Sequence, residues 1–298
     1  MKVLLTGATG YIGSAVVDAL RGAGHEVLGL ARGDAAAARL TEMGVTPVRG
    51  DYRDPESLSV AARAAEGVIA AASTFDPAAD AAAVNAMLDG LRGTGKPFVY
   101  TSGIWLYGDS GDRILTETSP PRPTPLAAWS PAVDRDVTRA AGVRSVVIQP
   151  AIVYGRGGGI PLELVRSARE DGAARFVGNG ENRWPTVHVD DLAELYVRAL
   201  ERAPAGTVLL AVGGPAIRVS EIARAASEGA GAGGKVKAWP LAEARQTLGP
   251  YADALALDQQ ASSRRAEELL GWKPFRPGIL NELRHGSYSK EEVRMLGT

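Results

Sequence analysis

The sequence predicts an α/β fold built on a doubly wound parallel sheet. Three observations carry that expectation. Short apolar runs alternate with helical patterns through the first half of the chain, the rhythm of a parallel sheet wrapped by helices. The first apolar run passes straight into a glycine-rich turn and then a helix. The 298 residues suffice for a large core, as one large domain or two small ones.

The elements follow in chain order. Lys2–Thr6 reads as a short buried strand, and Gly7-Ala8-Thr9-Gly10-Tyr11-Ile12-Gly13 follows at once. Ile12, Ala15, Val16, Ala19 and Leu20 then recur at helical spacing. Glycine permits the tight turn and a close approach of a pyrophosphate, and the helix start offers free N–H groups to it. Further strands are expected at Glu26–Ala31, Val45–Arg49, Val68–Ala72, Phe98–Ser102 and Ser145–Gln149. A helix over Pro55–Glu66 starts behind an Asp54 cap with proline at its first position. Pro120–Pro125 is a proline-rich loop, not a domain boundary. The second half is less regular. Gly155–Gly159 reads as a hinge or loop, and Pro161–Asp171 as a helix. His188–Leu192 reads as a strand running into a helix capped by Asp190 and reaching about Arg202. Thr207–Val212 is another strand, and the tail from Gly249 to Thr298 is mixed and rich in turn residues.

Composition narrows the function. Net charge is −1, which points to neither nucleic acid nor an anionic membrane. There is no cysteine, hence no disulfide, thiolate site or cysteine nucleophile. Three scattered histidines (His25, His188, His285) argue against a zinc site, so no metal is expected. No signal-peptide pattern opens the chain and no apolar run is long enough to span a bilayer, so a cytoplasmic protein is expected.

The glycine turn implies a dinucleotide. The second strand ends Leu30-Ala31-Arg32-Gly33-Asp34, which places Arg32 at the ribose, where a guanidinium binds a 2′-phosphate through paired charge-assisted bonds. NADP is therefore preferred over NAD, while Asp34 keeps NAD open. Asp51 and Tyr52 are placed to flank an adenine, and the small Ala71 and Ala72 let backbone pass close to the ribose.

Several motifs together resemble the extended short-chain dehydrogenase/reductase family, of the NAD(P)-dependent epimerase/dehydratase kind. They are the Thr6–Gly13 turn, Gly50-Asp51-Tyr52-Arg53-Asp54, Val99-Tyr100-Thr101-Ser102 with Leu106-Tyr107-Gly108, Gln149–Gly155, Val187–Ala193 and Leu270-Gly271-Trp272-Lys273-Pro274. The resemblance implies a Rossmann domain over residues 1–155, with returning segments at about 186–213. It also implies a smaller C-terminal substrate domain, mainly 156–298, a cleft active site between the two, and a homodimer as one assembly. It places Gly7, Thr9, Gly10, Tyr11, Ile12, Gly13, Asp51 and Thr101 on the cofactor, and Pro150 and Val153 near the nicotinamide.

One part of the family pattern is missing. Its catalysis uses a serine after strand five and a Tyr-x-x-x-Lys pair, in which lysine lowers the tyrosine pKa. No tyrosine lies between Tyr107 and Tyr154, and no lysine between Lys96 and Lys235. The serine position falls on Gly103, with Ser102 one residue early, the tyrosine position near Trp129 and the lysine near Val133. Asp134, Arg135 and Asp136 mark a partly exposed helix there, and Ser130-Pro131 a helix start that shifts it relative to the family. Substitute donors are Tyr107, Tyr154, His188 and Ser102, each with a structural alternative: packing for the tyrosines, capping for the histidine, backbone support for the serine. Trp129, Trp105 and Arg183 are candidates for a substrate pocket, against core packing and a surface ion pair. The expected activity is an NADP-dependent oxidoreductase reducing a C=O, C=N or activated C=C group of a small molecule. A catalytically silent NADP-binding sensor is the alternative, and an epimerase, dehydratase or other lyase the third reading.

Overall fold

The structure, a computed structural model, describes residues 1–289, so the last stretch of the turn-rich tail, 290–298, lies outside the described residues. Strands β1 (Lys2–Thr6), β2 (Glu26–Ala31), β3 (Thr46–Arg49), β4 (Gly67–Ala70), β5 (Pro97–Thr101) and β6 (Arg144–Pro150) alternate with helices. These are α1 (Tyr11–Gly22), α2 (Asp34–Glu42), α3 (Pro55–Ala64), α4 (Pro77–Leu91) and α5 (Ser130–Thr138). The second half adds β7 (Ile152–Tyr154), α6 (Pro161–Asp171), β8 (Ala174–Val177), β9 (Arg183–Trp184), β10 (Thr186–His188), α7 (Val189–Arg202) and β11 (Thr207–Ala211). It ends with β12 (Ile217–Arg218), α8 (Val219–Gly229), β13 (Val236–Trp239), α9 (Leu241–Leu248), α10 (Pro250–Leu255), α11 (Arg264–Leu270) and α12 (Ile279–His285).

Seven strands form one sheet in the order β11-β6-β5-β4-β1-β2-β3, and every neighbouring pair is parallel. Apolar side chains alternate between its two covered faces, as a doubly buried sheet requires. Val3, Leu5, Val99 and Ile148 pack on the α1/α7 face. Leu4, Phe98, Tyr100 and Val147 pack on the α3/α4/α5 face. Strand order reverses between β4 and β2 around β1, which puts the ligand crevice at the carboxyl ends of β1 and β4. β4 stops at Ala70, so Ala71 and Ala72 leave the ladder; their N–H groups donate to Thr6 Oγ1 (3.2 and 3.3 Å) and hold the two strand ends together.

A third core gathers Leu164, Val165, Ile222, Ile279, Leu283 and Tyr288 from α6, α8, α12 and the segment after it. Small two-stranded sheets (β7/β10, β8/β13 and β9/β12) flank this region. The chain returns to the first body through α7, which packs on α1, and β11, which joins β6. The Leu270–Pro274 motif docks beside α7: fully buried Trp272 donates its indole N–H to Asp191 O at 2.8 Å.

One local expectation is corrected. Helix α7 is capped by His188, whose Nδ1 accepts the Asp190 N–H at 3.1 Å. The helix starts two residues earlier than a cap at Asp190 would give, so Asp190 lies inside the first turn and its carboxylate accepts from Arg156 Nε at 2.7 Å. The Gly155–Gly159 segment, expected as a hinge or loop, is a heavily bonded loop. Tyr11 donates its hydroxyl to Gly155 O (2.8 Å), Arg156 reaches Asp18 (2.7 Å), and the Gly155 N–H donates to Tyr288 Oη (2.8 Å).

Candidate active site

The glycine turn after β1 has a geometry that larger residues would block. Gly7 sits at φ +75°, and a Cβ there would lie 2.9 Å from Ala71 O. At Gly13 a Cβ would fall 1.9 Å from Gly7 O, so the helix start and the turn touch through backbone alone. Gly10 caps α1 without a side-chain bond, and the first N–H taken by the helix is that of Ser14, by Gly10 O at 2.9 Å. The N–H groups of Tyr11, Ile12 and Gly13 therefore precede the hydrogen-bonded ladder, at the positive end of the helix dipole. Thr9 and Gly10 are exposed at the rim. This arrangement fits the pyrophosphate of a dinucleotide.

At the outer end of the crevice, Arg32 is exposed and makes no ion pair among the described residues. Asp34 is engaged by Arg49, from the end of the adjacent strand β3. Asp51 turns its carboxylate onto the Arg53 N–H (2.9 Å), and Tyr52 donates its hydroxyl to Ala72 O (2.9 Å), fixing the loop after β4.

At the inner end, the carboxyl termini of β5 and β6 meet α5. Thr101 points to the α7 face, where its hydroxyl pairs with that of buried Tyr196 at 2.6 Å. Ser102 points the other way and donates to Asp134 Oδ2 at 3.0 Å. Gln149 Nε2 donates to the same oxygen at 2.8 Å, and its Oε1 accepts the Tyr107 hydroxyl at 2.8 Å. Asp134 is thus buried (8% exposed), not on the outer helix face that the charged run suggested. It faces the sheet because α5 begins at Ser130 and turns this position toward β5 and β6. Burial pushes its carboxyl up to about 6, although the bonds from Gln149 and Ser102 pull the other way. Gly103, where the resemblance puts the family's serine, is backed by open space: a Cβ there would meet nothing within 4 Å. Trp129 is half-buried at the head of α5, and Val133 is buried apolar core. Pro150 ends β6 as a buried residue, and half-buried Val153 lies on β7.

The remaining candidates have structural partners. Tyr154 donates to Pro277 O (2.9 Å) and meets the His188 ring edge-on at 5.2 Å. His188 spends Nδ1 on the cap, and burial lowers its pKa. Burial raises the pKa of Tyr107 and Tyr154 above the ordinary phenol value, the reverse of what the family's lysine does for its tyrosine. Arg183 forks onto Asp258 (2.9 and 2.7 Å), and that bond holds the Asp258 carboxyl below its usual range. Trp105 packs against Tyr251 at 5.8 Å, between the first and third cores. No group of metal-ligating side chains occurs among the described residues, and no helix there is long and apolar enough to cross a membrane.

Comparison with known proteins agrees with this fold. The model of the NAD dependent epimerase/dehydratase family matches residues 3–211. The chain is 33% identical to the uncharacterized protein C2A9.02 of Schizosaccharomyces pombe, over 97% of this chain and 100% of that one. It is 26% identical to 2-alkyl-3-oxoalkanoate reductase of Stenotrophomonas maltophilia, over 69% of this chain and 67% of that one. Among solved structures, UDP-glucose 4-epimerase of Thermus thermophilus in complex with NAD superposes with a TM-score of 0.79 at 24% identity, covering 98% of this chain and 100% of that one. The human epimerase family protein SDR39U1 with NADPH does so with a TM-score of 0.76 at 21% identity, covering 96% and 99%. Both likenesses are of fold.

Proposed function

The chain belongs to the NAD dependent epimerase/dehydratase family, and from that premise we propose that it is an NADP-dependent oxidoreductase reducing a C=O, C=N or activated C=C group of a small organic substrate. The single observation that carries this reading is the bare start of α1 behind Gly7–Gly13, free to hold a dinucleotide at the switch point of the sheet. Hydride chemistry resides in the nicotinamide, so the protein's part is to bind, orient and supply a proton. The similarity to 2-alkyl-3-oxoalkanoate reductase supports the reaction class.

The NADP preference rests on Arg32. Asp34, which kept NAD open, is engaged by Arg49, while Arg32 stays exposed at the end of β2. Replacing Arg32 by alanine is expected to lower the preference for NADPH over NADH by about tenfold or more, a loss of about 1.4 kcal/mol. An unchanged ratio of dissociation constants removes the assignment. For the proton, buried Tyr107 and Tyr154 spend their hydroxyls on Gln149 and Pro277 O and His188 spends Nδ1 on the cap, which favours half-exposed Ser102 among the candidates.

The reaction is tested by NADPH oxidation across a panel of ketones, imines and enones. Turnover of at least one class is expected. Saturable NADPH binding with no turnover of any of them favours the second reading, a silent NADP-binding sensor, which the exchange of the family's pair for Trp129 and Val133 motivates. An epimerase or dehydratase ranks third, because those activities in the family use the missing tyrosine.

A further inference from the structure

Resting on the reductase reading above, the geometry points to Asp134 as the proton source behind Ser102: its carboxyl reprotonates the serine hydroxyl that delivers a proton to the substrate. Ser102 is the catalytic donor; Asp134 is a positioning and proton-holding residue that acts through it.

The placement argues for this first. Asp134 lies one residue past Val133, where the family's lysine falls, and its side chain turns inward. Ser102 Oγ (3.0 Å) and Gln149 Nε2 (2.8 Å) both donate to Oδ2, while Oδ1 is buried with no hydrogen-bond partner. An ionised carboxylate so enclosed leaves a charged oxygen unsatisfied, whereas a neutral carboxyl leaves only a carbonyl oxygen. With the proton on Oδ2, the Ser102 bond reverses. Asp134 then donates to Oγ, Gln149 still donates to Oδ2, and the serine hydrogen is released toward its other side.

That other side is open. Ser102 is half-exposed at the end of β5, and the neighbouring Gly103 is backed by empty space. Room for a substrate atom therefore adjoins the hydroxyl where the family would have a second side chain.

The charged surroundings do not hold Asp134 ionised. The ionisable groups facing it from the sheet and its end are the phenols of Tyr100 and Tyr107, both kept neutral by burial. On its own helix Arg135 pairs with Asp136 at the surface. On α4 Asp89 pairs with Arg92, and Asp80 is bonded by Ser73 and Thr74. A carboxyl pushed up to about 6 by burial exchanges its proton near neutral pH, which neither phenol can do.

The step balances. The nicotinamide, when bound, supplies a hydride to the electrophilic carbon of the substrate's polar double bond and is oxidised. The π pair moves onto the substrate oxygen or nitrogen, which bonds the Ser102 hydroxyl proton as the Oγ–H bond breaks. Oγ takes the Asp134 proton, leaving a carboxylate that solvent reprotonates between turnovers.

The test compares wild type with Asp134→Asn, which keeps an oxygen for Ser102 and Gln149, and with Ser102→Ala. NADPH binding is followed by fluorescence, and turnover with the best panel compound is followed from about pH 5 to about pH 9. Infrared difference spectra report the protonated carboxyl independently of turnover. Wild-type kcat should fall about tenfold per pH unit on the alkaline side of the carboxyl's pKa, and a carboxyl infrared band should titrate with it. Asp134→Asn should lose both the band and the fall, and lower kcat at acid pH by about 10²-fold with NADPH affinity little changed; Ser102→Ala should lower kcat similarly while keeping the band. An Asp134→Asn variant that binds NADPH and keeps the wild-type rate and pH profile overturns the proton source but leaves the reductase reading intact. A wild-type chain that binds NADPH but reduces nothing in the panel overturns both.

Discussion

Two glycines show how closely single residues are specified here. A Cβ at Gly13 would sit 1.9 Å from Gly7 O, a backbone atom that cannot swing aside. Gly13→Ala should therefore cost about 1–3 kcal/mol of stability and weaken NADPH binding at least about tenfold. Gly103→Ala, which meets nothing within 4 Å, should stay within about 0.5 kcal/mol of wild type when both variants are compared by thermal melting. Asp134 makes a second residue-scale prediction. Raised from its ordinary 3.8 to about 6, it binds a proton more tightly folded than unfolded. Its stabilising contribution is thus full below pH 3.8 and is lost as pH rises through about 6. The loss is about 3 kcal/mol at most. Asp134→Asn should remove that slope from the stability–pH curve; an identical slope in both proteins contradicts the burial-driven shift. The glycines were legible in the sequence because a tight turn is a local demand. Asp134 was not, because the charged run Asp134-Arg135-Asp136 reads as solvated helix. Its burial comes from Ser102 and Gln149, side chains 32 and 15 residues away.

At the scale of elements, strands and helices of the first half were legible from alternating apolar patterns, since a sheet covered on both faces must be apolar throughout. Helix ends were less so. The Asp190-Asp191 pair looks like a cap, yet His188 performs it, because Val189 already has helical geometry. The cap requires an unprotonated Nδ1. Burial lowers the His188 pKa, so its stabilisation is complete above the ordinary histidine pKa of 6.5 and is lost as pH falls through the lower folded value. That slope is opposite in sign to the one from Asp134. His188→Ala should cost about 1–2 kcal/mol at neutral pH and less in acid; a penalty that grows on acidification contradicts the cap. The loop after β7 shows the same limit of local pattern. Five residues with four glycines suggest mobility, but Tyr11 and Tyr288 fix them from 144 and 133 positions away.

Over the whole molecule, the two halves are interleaved rather than strung in series. α7 and β11 return to the nucleotide-binding body, Arg156 ties α1 to α7, and the Tyr288 hydroxyl closes on Gly158 O at 2.5 Å beside Tyr11. The Gly155–Gly159 loop is therefore held against the start of α1 by Tyr11 and supported from behind by a short tail segment at Tyr288. The strand and helix motifs that carry the sheet and α7 were legible in the sequence; the partners that lock the loop, Arg156 and Tyr288, left no pattern to read. The central claim is that this crevice holds a nicotinamide dinucleotide beside a cleft without the family's tyrosine–lysine pair. The most direct measurement is a titration of the purified, folded chain with NADPH, NADH and their oxidised forms, by fluorescence or calorimetry. Saturable one-to-one binding, tighter for NADPH than for NADH by about tenfold or more, is the expected result; association with none of the four nucleotides would contradict the claim outright.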